Sequence, residues 1–300
     1  MNPIDPHHCL PQDLDQALLI GRVWSDTPHP GPAIVIVRRG EVLDISAQIA
    51  TIADLLDLAD PAAFVQDVEG ESLGQVDALL AASLNGAESV PRLLAPCDLQ
   101  TVKACGVTFA VSLLERVIEE QAGGDPQRAS ELRREIQSLI GGDLSRIQPG
   151  SPQALALKAD LQARGAWSQY MEVGIGEDAE VFSKAQPLSS MGFGDTVGLH
   201  PASRWNNPEP EIVLAVDAFG APKGASLGDD VNLRDIEGRS ALLLGKAKDN
   251  NASCSIGPFI RLFDERFTMD TVRQAQVSLR IEGSDDDFVL EDSSDMREIS

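Results

Sequence analysis

Two glutamates separated by a single proline, Glu209 and Glu211, have the clearest spacing for chemistry in this sequence. Pro208 and Pro210 favour an extended backbone around them, because proline fixes its own φ and restricts the residue before it. In an extended strand, residues two apart point to the same face, so both carboxylates would project together. Two like charges on one face repel each other, and a divalent cation between them would keep both ionised.

Asp230 is a third candidate oxygen donor, within the acidic and basic run at residues 228–235. Oxygen donors favour Mg²⁺, Mn²⁺ or Ca²⁺ over softer metals. Taken alone, such a pair of glutamates in an acidic protein is more often a solvated strand face than a metal site. The motifs that follow, Lys248 and the Gly257-Pro258 turn, favour the metal site.

The surrounding elements predict a chain of mixed helix and sheet. Residues 17–45 contain β-branched and aliphatic stretches separated by turns, which predict a strand followed by a β-hairpin. Thr51 is expected to cap a short helix. Residues 112–165 carry apolar residues at helical spacing, and short strands with Gly and Pro turns return after Trp167.

Length and charge narrow the classes of partner. A chain of 300 residues with 43% hydrophobic residues can bury a large core. The formal net charge of −23 argues against binding to nucleic acid, and also against anionic membrane surfaces. No apolar run approaches the ~18 residues of a membrane span, and we expect no secretory signal. Neither nucleic acid nor a membrane is therefore expected as a partner.

Four cysteines are scattered along the chain without the spacing of a zinc site. Scattered cysteines in a chain of this length are typical of reduced thiols. We therefore expect a cytoplasmic protein. The four are Cys9, Cys97, Cys105 and Cys254.

The ordered set of these motifs resembles the fumarylacetoacetate hydrolase family. The matching stretches lie at residues 106–109, 182–195, 208–211, 229–235 and 248–258. The resemblance covers roughly residues 93 to 300. It implies an α+β fold in which a β-rich catalytic domain over 93–300 carries a helical insertion or lid at 112–165. It also implies a small N-terminal β domain over 1–92, a homodimer or larger homo-oligomer, and a further segment after Ser300.

The same resemblance implies roles for single residues. Glu209, Glu211 and Asp230 would bind Mg²⁺ or Mn²⁺, Arg234 would support the site, and Lys248 would face the substrate's keto-acid end. Further substrate contacts are expected from side chains near these positions, although each could equally satisfy the local backbone or remain exposed. They are Lys184, Asn250, Asn251 and Ser253.

Hydrolases of this family that cleave carbon–carbon bonds carry a histidine in the segment where this chain has Ser112. No histidine lies between His29 and His200, so that general base is absent. Glu115 and Glu119 lie one helical turn apart and would share a face of a helix. This pattern resembles the family's dehydratases of 2-keto-3-deoxy sugar acids.

Dehydration fits the chemistry of the predicted site. A metal bound by the substrate's carboxylate and 2-keto oxygens would acidify the C3 protons and stabilise the enolate. Lys248 is the candidate base or enolate partner, with a pKa lowered by burial beside the metal, and its alternative is a plain ion pair. Glu115 or Glu119 would assist the leaving C4 hydroxyl.

Three functions remain open from sequence. The favoured one converts 2-keto-3-deoxy-D-xylonate or -arabinonate to 2-oxoglutarate semialdehyde in pentose catabolism. The second is hydrolysis of a carbon–carbon bond in a 2,4-diketo acid, against which the missing histidine counts. The third is a non-catalytic metal- or ligand-binding protein, which would have no reason to keep three ligands and Lys248 together.

Overall fold

The computed structural model describes residues 6–26, 30–85, 91–106, 118, 122, 126–140, 147–167 and 169–298. The chain divides into two compact units. The first is formed by Met1–Lys103 together with Ser183–Ser293, and the second by Ala104–Phe182 together with Ser294–Ser300.

The strands lie mainly in the first unit. They are β1 (Leu19–Ser25), β2 (Gly31–Arg38), β3 (Glu41–Asp44), β4 (Glu71–Gln75), β5 (Arg92–Leu94), β6 (Val102–Cys105), β7 (Val181–Ala185), β8 (Pro210–Val216), β9 (Pro222–Asp230), β10 (Cys254–Leu262), β11 (Gln276–Glu282) and β12 (Val289–Asp295). An eight-stranded antiparallel sheet has the order β4-β3-β2-β1-β10-β9-β8, with β5 pairing with β1. Strands β6 and β7 pair with each other, as do β11 and β12.

Short helices connect these strands. They are α1 (Ile52–Leu56), α2 (Pro61–Asp67), α3 (Val76–Leu84), α4 (Pro126–Ile140), α5 (Pro152–Ala163), α6 (Gln169–Ile175), α7 (Arg234–Glu237), α8 (Leu244–Lys248) and α9 (Met269–Arg273). No helix in the described ranges has the length and apolar character needed to cross a membrane. The predicted class of mixed helix and sheet is confirmed.

The hairpin and the helix cap that we predicted near the N-terminus are both confirmed. Arg39 and Gly40 have positive φ values of 54° and 78°, which suits the tight turn between β2 and β3. Thr51 caps α1 by accepting a hydrogen bond from the amide of Asp54. The buried carboxylate of Asp98 adds a second cap, because it accepts hydrogen bonds from the amide of Ile52 at 2.6 Å and the next amide at 3.2 Å.

Both faces of the sheet are buried near β1 and β2. Val35 packs on one face with residues of α3, and Ile36 packs on the other with residues of α1 and α2. Successive strand residues point to opposite faces, so a strand covered on both sides needs an unbroken aliphatic run. The sequence at residues 33–37 meets that need, and the strand that it forms pairs with β1, which in turn pairs with β10.

The described part of the second unit is mainly helical and contains α4, α5 and α6. Ser151 caps α5 by accepting a hydrogen bond from the amide of Ala154, and Pro152 occupies the first turn. The core of this unit is aliphatic and includes Ile136, Leu157, Leu161, Met171 and Ile175. The predicted helices after residue 126 are therefore confirmed.

The observed division of the chain differs from the expected boundary between residues 92 and 93. Leu19 and Ile20 of β1 pair with Arg261 and Ile260 of β10, so the N-terminal strands belong to the same sheet as the site strands. The stretch from Leu93 that suggested a boundary continues this sheet as β5. Pairing between strands more than 200 residues apart in sequence cannot be inferred from local sequence patterns. For this reason the expected boundary differs from the observed division.

Candidate metal and substrate site

The three candidate metal ligands lie on or next to two adjacent strands: Glu211 is in β8, Glu209 directly precedes β8, and Asp230 is the last residue of β9. Glu211 pairs with Gly228, and the amide of Asp230 donates to the carbonyl of Glu209 at 2.9 Å. Directly opposed residues of an antiparallel pair point to the same face. The register therefore places Glu209, Glu211 and Asp230 on one face, as the proline-braced sequence predicted for the two glutamates.

Gly228 is closely packed at the position opposite Glu211. A Cβ at this position would lie 2.6 Å from Cγ2 of Val213 and 3.1 Å from the carbonyl oxygen of Ser255. The close packing leaves no room for a side chain, so the position opposite Glu211 is held by backbone alone.

Lys184 is buried against Asp230 and is 1% exposed. Its ammonium lies 2.8 Å from Oδ1 of Asp230 and donates to the carbonyls of Val231 at 2.9 Å and Lys248 at 2.5 Å. The ammonium of Lys184 also donates to Oγ of Ser253 at 3.4 Å, and this hydroxyl in turn donates to the carbonyl of Lys248 at 2.9 Å. All three N–H groups of Lys184 thus have acceptors within the protein. Through these contacts the side chain links the end of β9 to the end of α8.

Lys248 binds the other oxygen of the same aspartate. Its ammonium donates to Oδ2 of Asp230 at 2.9 Å and makes a short hydrogen bond to Oε2 of Glu209. Burial lowers the pKa of Lys248, but the carboxylates of Asp230 and Glu209 outweigh that effect, so the pKa is above its ordinary value. This direction is the opposite of the sequence expectation, and it leaves Lys248 as an ammonium in the observed conformation.

Asn232 and Glu237 complete the cluster. Asn232 is fully buried, and its amide donates to Oε1 of Glu209 and to Oε2 of Glu237, both at 2.8 Å. Arg234 donates to the same oxygen of Glu237 at 3.0 Å. Arg234 therefore contacts the cluster through Glu237, and its supporting role stays a prediction.

Glu211 is partly buried beside the other carboxylates of the cluster. Its pKa is raised to about 7, mainly by burial; the carboxylates of Asp230 and Glu209 add to the rise, and the ammonium groups of Lys248 and Lys184 oppose it. The side-chain oxygen of Asn232 is also buried and accepts no hydrogen bond within the described residues. Buried oxygen donors with excess negative charge suit a hard divalent cation.

No three His, Cys, Asp or Glu side chains, among those that the structure describes, converge closely enough to form a metal centre as they stand. The ammonium of Lys248 occupies the position between Glu209 and Asp230 and holds those two carboxylates around itself. The donor set nevertheless fits an ion in its chemistry, because all three candidate ligands present oxygens from one face of the sheet.

The remaining predicted residues differ in their surroundings. Ser253 is buried and engaged with backbone groups of Lys248 and Asn250, whereas Asn251 is exposed. Asn251 lies where Gly198 passes closely, since a Cβ on Gly198 would be 2.2 Å from the carbonyl oxygen of Asn251. Ser112, Glu115 and Glu119 lie outside the described residues.

Sequence reasoning missed two polar residues of the cluster, Asn232 and Glu237. Asn232 stood within the run at residues 228–235 but had no assigned role. Glu237 follows Arg234 by three residues on α7, and that helical spacing pairs opposite charges. The spacing could have suggested Glu237 as the partner of Arg234, although nothing local indicated its second contact with Asn232.

Comparison with known proteins identifies related dehydratases, although no family model matches the chain. The chain is 33% identical over 105 residues to 2-dehydro-3-deoxy-D-arabinonate dehydratase of Saccharolobus solfataricus, a match covering 33% of this chain and 35% of that protein. It is 32% identical over 130 residues to a probable 2-keto-3-deoxyxylonate dehydratase of Haloferax volcanii, a match covering 43% of each. The chain thus spans less than half the length of these curated relatives.

One solved structure shares the fold over most of this chain. It is 2-keto-3-deoxy-D-arabinonate dehydratase complexed with magnesium and 2,5-dioxopentanoate. The alignment has a TM-score of 0.61 at 18% identity and covers 94% of this chain and 78% of that chain. The predicted resemblance to the dehydratases of 2-keto-3-deoxy sugar acids is confirmed by these relatives.

Proposed function

We propose that this protein is a metal-dependent dehydratase that converts a 2-keto-3-deoxy sugar acid to 2-oxoglutarate semialdehyde in pentose catabolism. The observation that carries the proposal is the convergence of Glu209 and Asp230 on the ammonium of Lys248, beside Glu211 on the same sheet face. Two curated relatives named for this type of reaction support it.

The substrate that we propose is 2-keto-3-deoxy-D-xylonate or -arabinonate. The two names describe the same compound in the D series, because C3 is a methylene and C4 is the only stereocentre left. Loss of the C4 hydroxyl and a C3 proton as water, followed by tautomerisation, gives an aldehyde at C5. The product, 2-oxoglutarate semialdehyde, is also named 2,5-dioxopentanoate. It is the compound found with magnesium in the structurally similar dehydratase.

We propose that Glu209, Glu211 and Asp230 hold Mg²⁺, for which Mn²⁺ would substitute. Three carboxylates on one face supply oxygen donors. The pKa of Glu211 is raised mainly by burial and also by the carboxylates of Asp230 and Glu209, and a bound cation would favour its ionised form. The bound ion would act as a Lewis acid that acidifies the C3 protons and stabilises negative charge on the enolate oxygen.

The protein's own side chains would bind and orient the keto acid. Lys248 is our candidate for the keto-acid end, where its ammonium would stabilise the developing enolate charge rather than remove a proton. Arg234 and Asn251 remain candidates for contacts with the polar chain of the substrate. Glu115 and Glu119 are the candidates for helping the C4 hydroxyl to leave.

Lys184 and Ser253 have a different role in this proposal from the substrate contacts first expected. Their polar groups are directed at Asp230 and at backbone carbonyls, which leaves no donor of Lys184 for a substrate carboxylate. We assign them to positioning: they fix Asp230 and the end of α8 from behind. The structure thus favours support of the site over direct substrate binding for both.

We propose that the protein works in the cytoplasm as a homo-oligomer, a dimer or tetramer. The four cysteines are free thiols, which suits a reducing compartment. Apolar side chains are exposed on the β8–β9 hairpin at the edge of the sheet, including Leu214, Phe219 and Leu227. Such residues at a sheet edge support a self-association surface.

A direct assay with alternative substrates tests the proposed reaction. Purified protein with Mg²⁺ is offered 2-keto-3-deoxy-D-xylonate, its enantiomer, and a 2,4-diketo acid, with product identified by mass spectrometry. We expect 2,5-dioxopentanoate from the D compound and no cleavage of the diketo acid. Release of pyruvate from the diketo acid would support carbon–carbon hydrolysis instead. Absence of turnover with all three would favour a binding protein.

A further inference from the structure

The two lysines of the cluster hold opposite sides of the candidate metal ligands. Asp230 presents Oδ1 to Lys184 and Oδ2 to Lys248. Glu209 presents Oε1 to the amide of Asn232 and Oε2 to Lys248. Each carboxylate therefore has one oxygen held by a fixed group, while its other oxygen faces the ammonium of Lys248.

The contacts of Lys184 and Lys248 differ in kind. Lys184 is anchored by two backbone carbonyls and a buried carboxylate, so it has a structural position within the sheet. Lys248 is held by carboxylates, and two of them are the proposed ligands of the ion. It also lies at the end of α8, a helix of five residues, so a change of side-chain rotamer requires no movement of a long element.

A third carboxylate lies near Lys248. Oε1 of Glu237 is 3.9 Å from its ammonium, while Oε2 of Glu237 is held by Asn232 and Arg234. Glu237 is thereby oriented with one oxygen towards Lys248. An ammonium that leaves Glu209 and Asp230 would meet this oxygen after a small displacement.

We propose that Lys248 and the divalent ion compete for Glu209 and Asp230, and that ion binding transfers the ammonium to Glu237. This inference rests on the proposed function, because it assumes the ion site at Glu209, Glu211 and Asp230. Before the ion binds, the ammonium of Lys248 would compensate the negative charge of Glu209 and Asp230. After the ion binds, the ammonium would leave these two carboxylates and lie at the edge of the ion site.

Ion affinity measured without substrate tests the competition. Mn²⁺ binding is followed by electron paramagnetic resonance and calorimetry in wild type, Lys248→Met and Lys246→Met. Lys246 is exposed on the same helix and provides a control that removes the same charge. Removing the competing cation is expected to tighten Mn²⁺ binding by about tenfold or more in Lys248→Met, because like charges a few ångströms apart repel strongly. Lys246→Met is expected to bind as wild type does.

A double-mutant cycle tests the role of Glu237. Glu237→Gln is expected to weaken Mn²⁺ binding severalfold when Lys248 is present, because the displaced ammonium then has no carboxylate to receive it. In the Lys248→Met background the same change is expected to have a much smaller effect. Equal effects in both backgrounds would show that Glu237 acts only through its charge, and would contradict the transfer.

Wild-type protein gives a readout that does not depend on the folding of Lys248→Met. Labelling by an amine-reactive reagent, located by peptide mass spectrometry, is expected to increase at Lys248 when Mn²⁺ is added and to stay constant at Lys246. If the protein binds Mn²⁺, but Lys248→Met binds it no more tightly than wild type and labelling of Lys248 does not increase, the proposed exchange is wrong. The proposed ion site would still hold in that case. Failure of wild type to bind Mn²⁺ would instead overturn the proposed ion site itself.

Discussion

Replacing Lys248 with methionine is expected to lower kcat for dehydration by about 100- to 1,000-fold, the usual cost of removing one charge-stabilising donor. The ammonium is the cationic group nearest the oxygens of Glu209 and Asp230 that face the site. Methionine preserves much of the side-chain volume but carries no charge, so the loss reports the charge rather than a cavity. The measurement is steady-state product formation at saturating Mg²⁺ and substrate.

The matched control for this change is Lys246→Met, on the exposed side of the same helix. It should retain wild-type kcat, because Lys246 is not part of the carboxylate cluster. Circular dichroism and the urea midpoint of each variant will separate loss of chemistry from loss of fold. A folded Lys248→Met enzyme with the kcat of wild type would contradict the role that we assign to Lys248.

Replacing Lys184 with methionine is expected to reduce the free energy of unfolding by about 3–5 kcal/mol, because removing one partner of a buried ion pair leaves the other uncompensated. Lys184 and Asp230 are 1% and 4% exposed, so water cannot replace the lost ammonium. The backbone carbonyls of Val231 and Lys248 would each lose one donor as well. The loss is measured by equilibrium urea unfolding.

Lys103→Met provides the comparison for that variant. Lys103 is exposed and donates to Oγ of Ser183, so its replacement should change the free energy of unfolding by less than about 0.5 kcal/mol. If Lys184→Met were destabilised no more than Lys103→Met, the buried network would contribute little. The assignment of Lys184 to positioning would then be wrong.

Local features of the fold could be predicted from sequence because their causes are local. The hairpin at Arg39 and Gly40 needs two residues with positive φ, and Thr51 caps a helix by accepting a hydrogen bond from the amide three residues away. The same reasoning placed Glu209 and Glu211 on one face. These inferences needed only backbone geometry and neighbours close in sequence.

Features that depend on distant pairing could not be predicted in this way. The register between β1 and β10 joins residues more than 200 positions apart, and it places the N-terminal strands in the sheet of the candidate site. Lys184 was expected to contact substrate or remain exposed, yet it is buried because β7 lies against the end of β9. A lysine's burial depends on which carboxylate the fold brings to it.

The direction of a pKa shift also could not be predicted without the three-dimensional positions of the charged groups. We expected burial beside a metal to lower the pKa of Lys248, and the structure instead raises it through Asp230 and Glu209. Glu237, three residues after Arg234 and five after Asn232, joins the cluster through hydrogen bonds from both. The balance of such opposing effects depends on distances that a linear pattern does not contain.

The most direct test of the central claim is Mg²⁺-dependent dehydration and ion binding by wild type, Glu211→Gln and Glu71→Gln. Glu71 is exposed at the opposite edge of the same sheet and serves as the control. We predict that wild type and Glu71→Gln form 2,5-dioxopentanoate only with the ion, and that Glu211→Gln loses at least about tenfold in Mg²⁺ affinity together with most of its activity. Full activity and full Mg²⁺ affinity in Glu211→Gln would contradict the proposed site.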